Sequence, residues 1–280
     1  MLKLTGNELS VISKYVYDLS GIVIDKNKSY LVESRLGPIA EELKCKNYSE
    51  LYFRARQDAS KRIANKIVDA ITTNETFFFR DNSPFELLRH KIFPDLIDRK
   101  MEGPQAAFPT MKIWSAACST GQEVYSIAII LRELLGNEIN KWRITLLGTD
   151  ISDAAIAQAS YGRYNKTEIS RGLKPDQVKK YFEEHDTYAR VKDEIRYMAN
   201  FKRINLLEPF NFIGRFDIIL CRNVAIYFSM EDRKKLFDRL ADQLNPKGAL
   251  LIGATETLFG ISDRYERKNY MNSFFYQLKS

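Results

Sequence analysis

Histidine is scarce: His90 and His185 are the only two in 280 residues. Chemistry that needs several imidazoles, zinc hydrolysis among it, has no ligand set to draw on. The three cysteines, Cys45, Cys118 and Cys221, are odd in number and far apart. They suit neither a disulfide framework nor a metal cluster and point to a reducing cytoplasm. No apolar run approaches the ~18 residues that cross a membrane. The opening MLKLTGNELS lacks the apolar core of a signal peptide. Internal repeats and low-complexity segments are missing, and so is any G-x-G-x-x-G turn for a pyrophosphate.

What is present is a composition of 45% hydrophobic and 28% charged residues, which suits one or two globular domains with a real core. The net charge of +7 allows nucleic acid, anionic lipid or an acidic protein as partner. Much of the excess is local. Residues 44–66 hold seven cations against two acids, a net +5. A solvated helix face explains such a run, and so does a docking surface for something acidic.

Residues 1–75 read as helices. Thr5 and Glu8 form a capping-box pattern, followed by Leu9, Ile12, Val16 and Leu19 at helical spacing and a stop at Gly21. A second helix spans about 28–43, interrupted or bent at Gly37-Pro38, and two more cover about 49–58 and 60–73. Ser83-Pro84 opens another, to about Lys100. Residues 102–110, with Gly103, Pro104 and Pro109, are the clearest loop. From Lys112 the pattern becomes strand–helix alternation: strands at 112–116, 143–148, 216–220, 249–252 and 273–278, and a turn at 245–248. This predicts an α/β fold with a doubly wound sheet and ligand chemistry at the strand C-termini. Residues 174–200 break the rhythm and read as a small hairpin subdomain.

Where the helices stop and the sheet is about to begin lies TTNETFFFR, residues 72–80. Its amide, hydroxyls, three aromatics and one cation suit the lid of a pocket, or a buried helix end with one surface arginine. The first strand runs into SAACSTGQE, residues 115–123, with one glycine, Gly121, and an acid, Glu123. A tight turn that carries an acid suits a positively charged ligand without phosphate, such as S-adenosylmethionine (SAM). Asp150 ends the second strand, where a carboxylate accepts ribose hydroxyls; a cap for the next helix is the simpler alternative. Asn205-Leu206 stands where a third strand ends, and CRNVAIYF, residues 221–228, ends the next. Arg222 and Asn223 are not needed for packing, and Tyr227 adds an aromatic hydroxyl. The Asn/Asp-Pro-Pro-aromatic signature of N6-adenine methylases is absent. Cys118 and Cys221 read as small buried residues.

With TTNETFFFR, SAACSTGQEVYSIA, GTDIS, INLL and CRNVAIYF in this order, the chain closely resembles the CheR-type chemotaxis receptor glutamate O-methyltransferases. The resemblance covers nearly the whole chain. It implies a Rossmann-like methyltransferase sheet at 111–280 with the hairpin insert at about 174–200. Before the sheet it implies a helical, substrate-docking N-terminal domain at 1–80, then a helix and linker at 81–110. The implied activity is methyl transfer from SAM to glutamate side chains of membrane chemoreceptors, leaving S-adenosylhomocysteine, with no metal. By matching position, Asn74, Thr76, Arg80, Glu123, Asp150, Asn205, Leu206, Arg222 and Asn223 take the SAM-site places. Arg80, Arg222 and Tyr227 take those of catalysis and the substrate carboxylate.

The resemblance further implies a cytoplasmic monomer at receptor arrays on the inner membrane face, with no membrane insertion. Segment 44–66 would dock on the receptors' helical bundle. Two departures stand out. Ala254-Thr255-Glu256 replaces a His-Ser-Glu common in the family. Residues 185–194 are short and lack the glycine of members that tether to a receptor C-terminal pentapeptide, which speaks against that tether. A nucleic-acid methyltransferase would also explain the basic charge, but segment 44–66 does not interleave aromatic and basic residues in the expected way. A SAM- or receptor-binding module without catalysis would have no need of Arg80, Arg222 and Tyr227.

Overall fold

A computed structural model describes residues 2–102 and 106–279. Thr5 and Glu8 make the expected capping box at the start of α1 (Gly6–Ser20), and Gly21 closes it in the left-handed region with its N–H on the Tyr17 carbonyl. α2 (Ser29–Glu42) runs through Gly37-Pro38 as one helix, so of the expected interruption or bend the interruption is absent. Proline removes one backbone hydrogen bond. Burial of Leu36, Ile39 and Ala40 in the helical core offsets that loss. α3 (Tyr48–Gln57), capped by Asn47, and α4 (Arg62–Ile71) complete this unit. Ile12, Val16, Tyr48, Leu51 and Ile67 fill its centre.

The next helical run joins α5 (Ser83–Leu87), a π-helical turn (Leu88–Ile92) and α6 (Phe93–Glu102). The π turn accommodates Pro94, which has no N–H to donate. The expected loop residues Gly103 and Pro104 lie outside the described residues.

Alternation then begins with β1 (Thr110–Ala116), α7 (Gln122–Leu135), β2 (Arg143–Asp150) and α8 (Asp153–Tyr161). The insert follows: β3 (Arg163–Asn165), α9 (Lys166–Ser170), α10 (Pro175–Tyr181), β4 (Phe182–Glu184), β5 (Tyr188–Val191) and α11 (Asp193–Arg196). The chain returns through β6 (Ala199–Arg203), β7 (Phe216–Cys221), α12 (Met230–Gln243), β8 (Leu244–Ile252), β9 (Tyr265–Tyr270) and β10 (Ser273–Leu278).

The large sheet has seven strands in the order β6-β2-β1-β7-β8-β10-β9, all running one way except β10, which is antiparallel to both its neighbours. Successive residues of its central strands enter opposite cores. Ile113, Leu146 and Ile218 pack on one face; Trp114, Leu147 and Ile219 pack on the other. Strands covered on both faces read as unbroken apolar runs, which is why β1, β2 and β7 are legible.

The insert carries its own three-stranded sheet, β3-β5-β4. It begins at Arg163, outside the 174–200 span read from the sequence, and Ala199-Asn200 belongs to the large sheet. The turn expected at 245–248 is instead the bulged start of β8, with Lys247 at φ 59°.

Candidate functional site

The order reverses between β1 and β7, and the carboxyl ends of β2, β1 and β7 open there onto a cavity roofed by the helical unit. Asn74, Thr76, Arg80, Glu123, Asp150, Asn205, Leu206, Arg222, Asn223 and Tyr227 all line it. The roof combines aliphatic Ile22, Val23, Ile24 and Leu31 with the cations Lys28 and Arg35.

Gly121 lies at φ 94°, between β1 and α7. A Cβ there would stand 2.8 Å from Ala159 Cβ and 3.2 Å from the Tyr164 hydroxyl, so only glycine closes this turn. The turn is held by Asp150. Its two oxygens accept the Ser119 N–H (2.8 Å) and the Ser152 N–H (3.0 Å). Burial is the largest influence on the Asp150 carboxyl and raises its pKa above the ordinary aspartate value.

Glu123 is buried at the start of α7. It accepts from Ser115 Oγ (2.7 Å) with one oxygen and from Arg222 Nη1 (2.7 Å) with the other. Arg222 also donates to Asp81 (2.7 Å) and to the Arg80 carbonyl (2.9 Å), and its side chain is 2% exposed. Arg222 is therefore a brace: it ties the TTNETFFFR segment to the sheet and fixes the backbone of Arg80. The Arg80 guanidinium donates to the Glu75 carbonyl (2.6 Å) and borders the cavity.

The aromatic triplet does not roof the cavity as expected for a lid. Phe78 is fully buried, edge-on to Tyr164 (5.1 Å) and Phe182 (5.5 Å), and Phe79 packs against Phe85 (5.4 Å). Phe77 is half-buried, with Arg171 over its ring at 4.3 Å. The triplet anchors the segment in the sheet's core, so that Asn74, Thr76 and Arg80 on either side reach the cavity. Segment and insert fit closely: a Cβ on Gly172, at φ 104°, would come within 1.8 Å of the Phe78 carbonyl oxygen. Arg35 secures the segment's start, donating to the carbonyls of Ile71 (2.7 Å) and Thr72 (2.9 Å).

The Asn205 amide, given a SAM-site place by the resemblance, donates to the Leu19 carbonyl (3.1 Å) and accepts the Leu207 N–H (3.0 Å). It thereby pins α1 to the sheet. Asn223 stands in the left-handed region at φ 58°, and its N–H donates to Glu256. Asp81 and Arg35 are supporting residues that sequence reasoning missed, because each acts on partners distant in the chain and no local pattern marks it. Ser115 and Glu256 were noted in the sequence without a supporting role; they bond Glu123 and the N–H groups of Asn223 and Gly253. Cys118 and Cys221 are fully buried, and burial pushes both thiols well up, which makes them poor nucleophiles. Among the described residues no cluster of side chains suits a metal ion.

Sheet order, a single-glycine turn without a phosphate cradle, and a carboxylate closing β2 define the class: a SAM-dependent methyltransferase. Comparison with known proteins gives the particular family. Residues 74–273 match the CheR methyltransferase SAM-binding domain, and residues 7–72 the CheR methyltransferase all-alpha domain. The chain is 36% identical over 280 residues to a chemotaxis protein methyltransferase of Vibrio parahaemolyticus, covering 99% of both proteins. Chemotaxis protein methyltransferase 1 of Pseudomonas aeruginosa is 37% identical over 262 residues, 92% of this chain and 93% of that one. A chemotaxis protein methyltransferase of Borreliella burgdorferi is 34% identical over 260 residues, 92% and 91%. The chain belongs to the CheR methyltransferase family.

Proposed function

We propose that this enzyme methylates glutamate side chains of chemotaxis receptors, with SAM as methyl donor. The observation that carries the reading is Arg80, a cation at the wall of a cavity whose lining includes no histidine among the described residues. A glutamate carboxylate, with a reference pKa of about 4.3, is already ionised at neutral pH and needs no general base. What it needs is orientation and loss of its water shell. Arg80 supplies the first through charge-assisted hydrogen bonds to the carboxylate. Tyr227 holds the side chain, and Ile22, Ile24 and Leu31 of the roof reduce its contact with water. Arg222 contributes through position, since it is buried beneath Arg80 and bound to two carboxylates.

SAM, when bound, supplies an electrophilic methyl group on a sulfonium. The residues fit it. Glu123 and Asp150 give acids for its positive charge and ribose hydroxyls. Asn74, Thr76 and Asn223 add polar groups, and Leu206 an apolar face.

Docking is proposed to run through segment 44–66, onto the acidic helical bundle of receptors at the inner membrane face, and not to depend on the pentapeptide tether, against which the short segment 185–194 speaks. No helix among the described residues is long and apolar enough to cross a membrane. The protein would act as a cytoplasmic monomer.

The test is transfer of labelled methyl from SAM to receptor-containing membranes, followed by alkali. A carboxyl methyl ester releases volatile methanol under base, whereas N-methyl groups do not. Base-labile label in protein is the expected result. Base-stable label would move the substrate to nucleic acid or amines.

A further inference from the structure

We propose that Glu256 is a positioning residue of the methyl-transfer site, an inference that rests on the reading above. β7 and β8 run parallel, and their register ends at the pair Cys221 and Ile252. Beyond it the strands part, and the next residues, Arg222 and Asn223, belong to the cavity. There Glu256 replaces the missing ladder. One of its oxygens, Oε2, accepts both the Asn223 N–H and the Gly253 N–H at 2.7 Å. Its own N–H donates to the Gly253 carbonyl (2.9 Å), so the acid sits at the closure of a tight turn.

Three observations make this clamp specific. Asn223 stands at φ 58°, a conformation that needs outside support in a residue with a side chain. A Cβ on Gly253 would stand 2.6 Å from Glu256 Oε2 and 3.0 Å from the Asn223 nitrogen, so the carboxylate has one seat. The other oxygen, Oε1, is buried without a partner among the described residues. Arg222 is bound to Glu123 and Asp81. The side-chain bonds Glu256 makes therefore go to this junction, and none goes to an ion pair. Glu256 sets the direction in which the chain leaves β7, and with it the placement of Arg222, Asn223 and Tyr227.

The experiment compares Glu256→Ala, Glu256→Asp and Glu256→Gln in base-labile methyl transfer, assayed well below each variant's unfolding midpoint. It is paired with calorimetric titration of SAM. A glutamine oxygen accepts both N–H groups; an aspartate is one methylene too short to reach them. Loss of orientation predicts kcat down about 30-fold in Glu256→Ala and Glu256→Asp, and within about threefold of the natural enzyme in Glu256→Gln. The SAM dissociation constant, reporting on Asn223, rises about threefold to tenfold in the first two and stays near the natural value in the third. A merely structural turn acid would lower the unfolding midpoint and leave kcat unmoved.

The inference is overturned if Glu256→Ala keeps kcat and SAM affinity within about twofold. It is also overturned if Glu256→Asp is active while Glu256→Gln is not, which would make charge the operative property. Should Glu256→Ala fail to fold, the Asp and Gln pair decides. Failure of the functional reading looks different: the natural enzyme yields no base-labile methyl, while the SAM-affinity ratios still report on the clamp.

Discussion

Arg80 and Arg222 sit in one cavity, and their surroundings give them different tasks. Arg222 is sealed between Glu123 and Asp81, whereas Arg80 gives one hydrogen bond to a backbone carbonyl and is half-exposed. Arg80→Ala is expected to lower methyl transfer by about a hundredfold or more, with the unfolding midpoint little changed. Retained activity at an unchanged midpoint would remove Arg80 from the chemistry. Asp150 makes a prediction in pH. Its folded-state pKa is raised, so on acidification it takes up a proton before an exposed aspartate does. SAM affinity should accordingly weaken above the usual aspartate range, and Asp150→Asn should flatten that dependence. The linked stability has the same origin. The ionised form costs stability above the raised pKa, and the cost is relieved as pH falls through it. Arg222 and Asn223 were legible because polar residues straight after an apolar strand have no packing reason to be there, and Asp150 because it closes one. Asp81 was not, because its partner lies 141 residues away, and Glu256 was noted without a role, because its bond to Asn223 spans 33 residues.

Among the elements, the helices with chemical start signals were read closely and the irregular pieces were not. Thr5 caps α1 where the sequence marks a capping box, and Ser83-Pro84 opens α5 where expected. β9 was missed because YERKNY carries almost no apolar alternation and forms as the outer partner of β10. Glu8 shows how a capping residue also binds two elements together. One oxygen closes the box with Thr5, and the other accepts the N–H groups of Tyr48 (2.9 Å) and Ser49 (3.2 Å) at the start of α3. Burial alone would raise its pKa, but these hydrogen bonds outweigh burial and hold it below the ordinary glutamate value. Its stabilisation is therefore present above the unfolded pKa and is lost as pH falls through the folded one. Glu8→Ala should cost about 2–3 kcal/mol in urea unfolding at neutral pH, and markedly less in acid. An equal cost at both would show that charge plays no part.

At the scale of the molecule, the helical unit and the sheet share one cavity and are stitched along its rim. Tyr17 donates to Asp232 (2.7 Å), the Val23 N–H donates to the Tyr227 carbonyl (3.0 Å), and Ser152 donates to Asp69 (2.7 Å). No periodicity reports such contacts, and the meeting of roof and floor was the least legible part of the site. The roof also sets how segment 44–66 is tested. Arg54 is engaged with Glu50 and the Leu43 carbonyl, so its removal would disturb α2 and α3. Lys46, Arg56 and Arg62 are exposed. Reversing these three to glutamate should slow association with receptor membranes about tenfold or more at low salt, the difference shrinking as salt is added. An unchanged rate and salt slope would place docking elsewhere. The Arg222 brace has a consequence for how such enzymes diversify. It joins positions 81, 123 and 222, and losing one partner of a buried ion pair costs about 3–5 kcal/mol. Drift at any of the three is epistatic on the other two. Substitutions there are accepted in concert or not at all, while the docking face is free to follow a changing receptor.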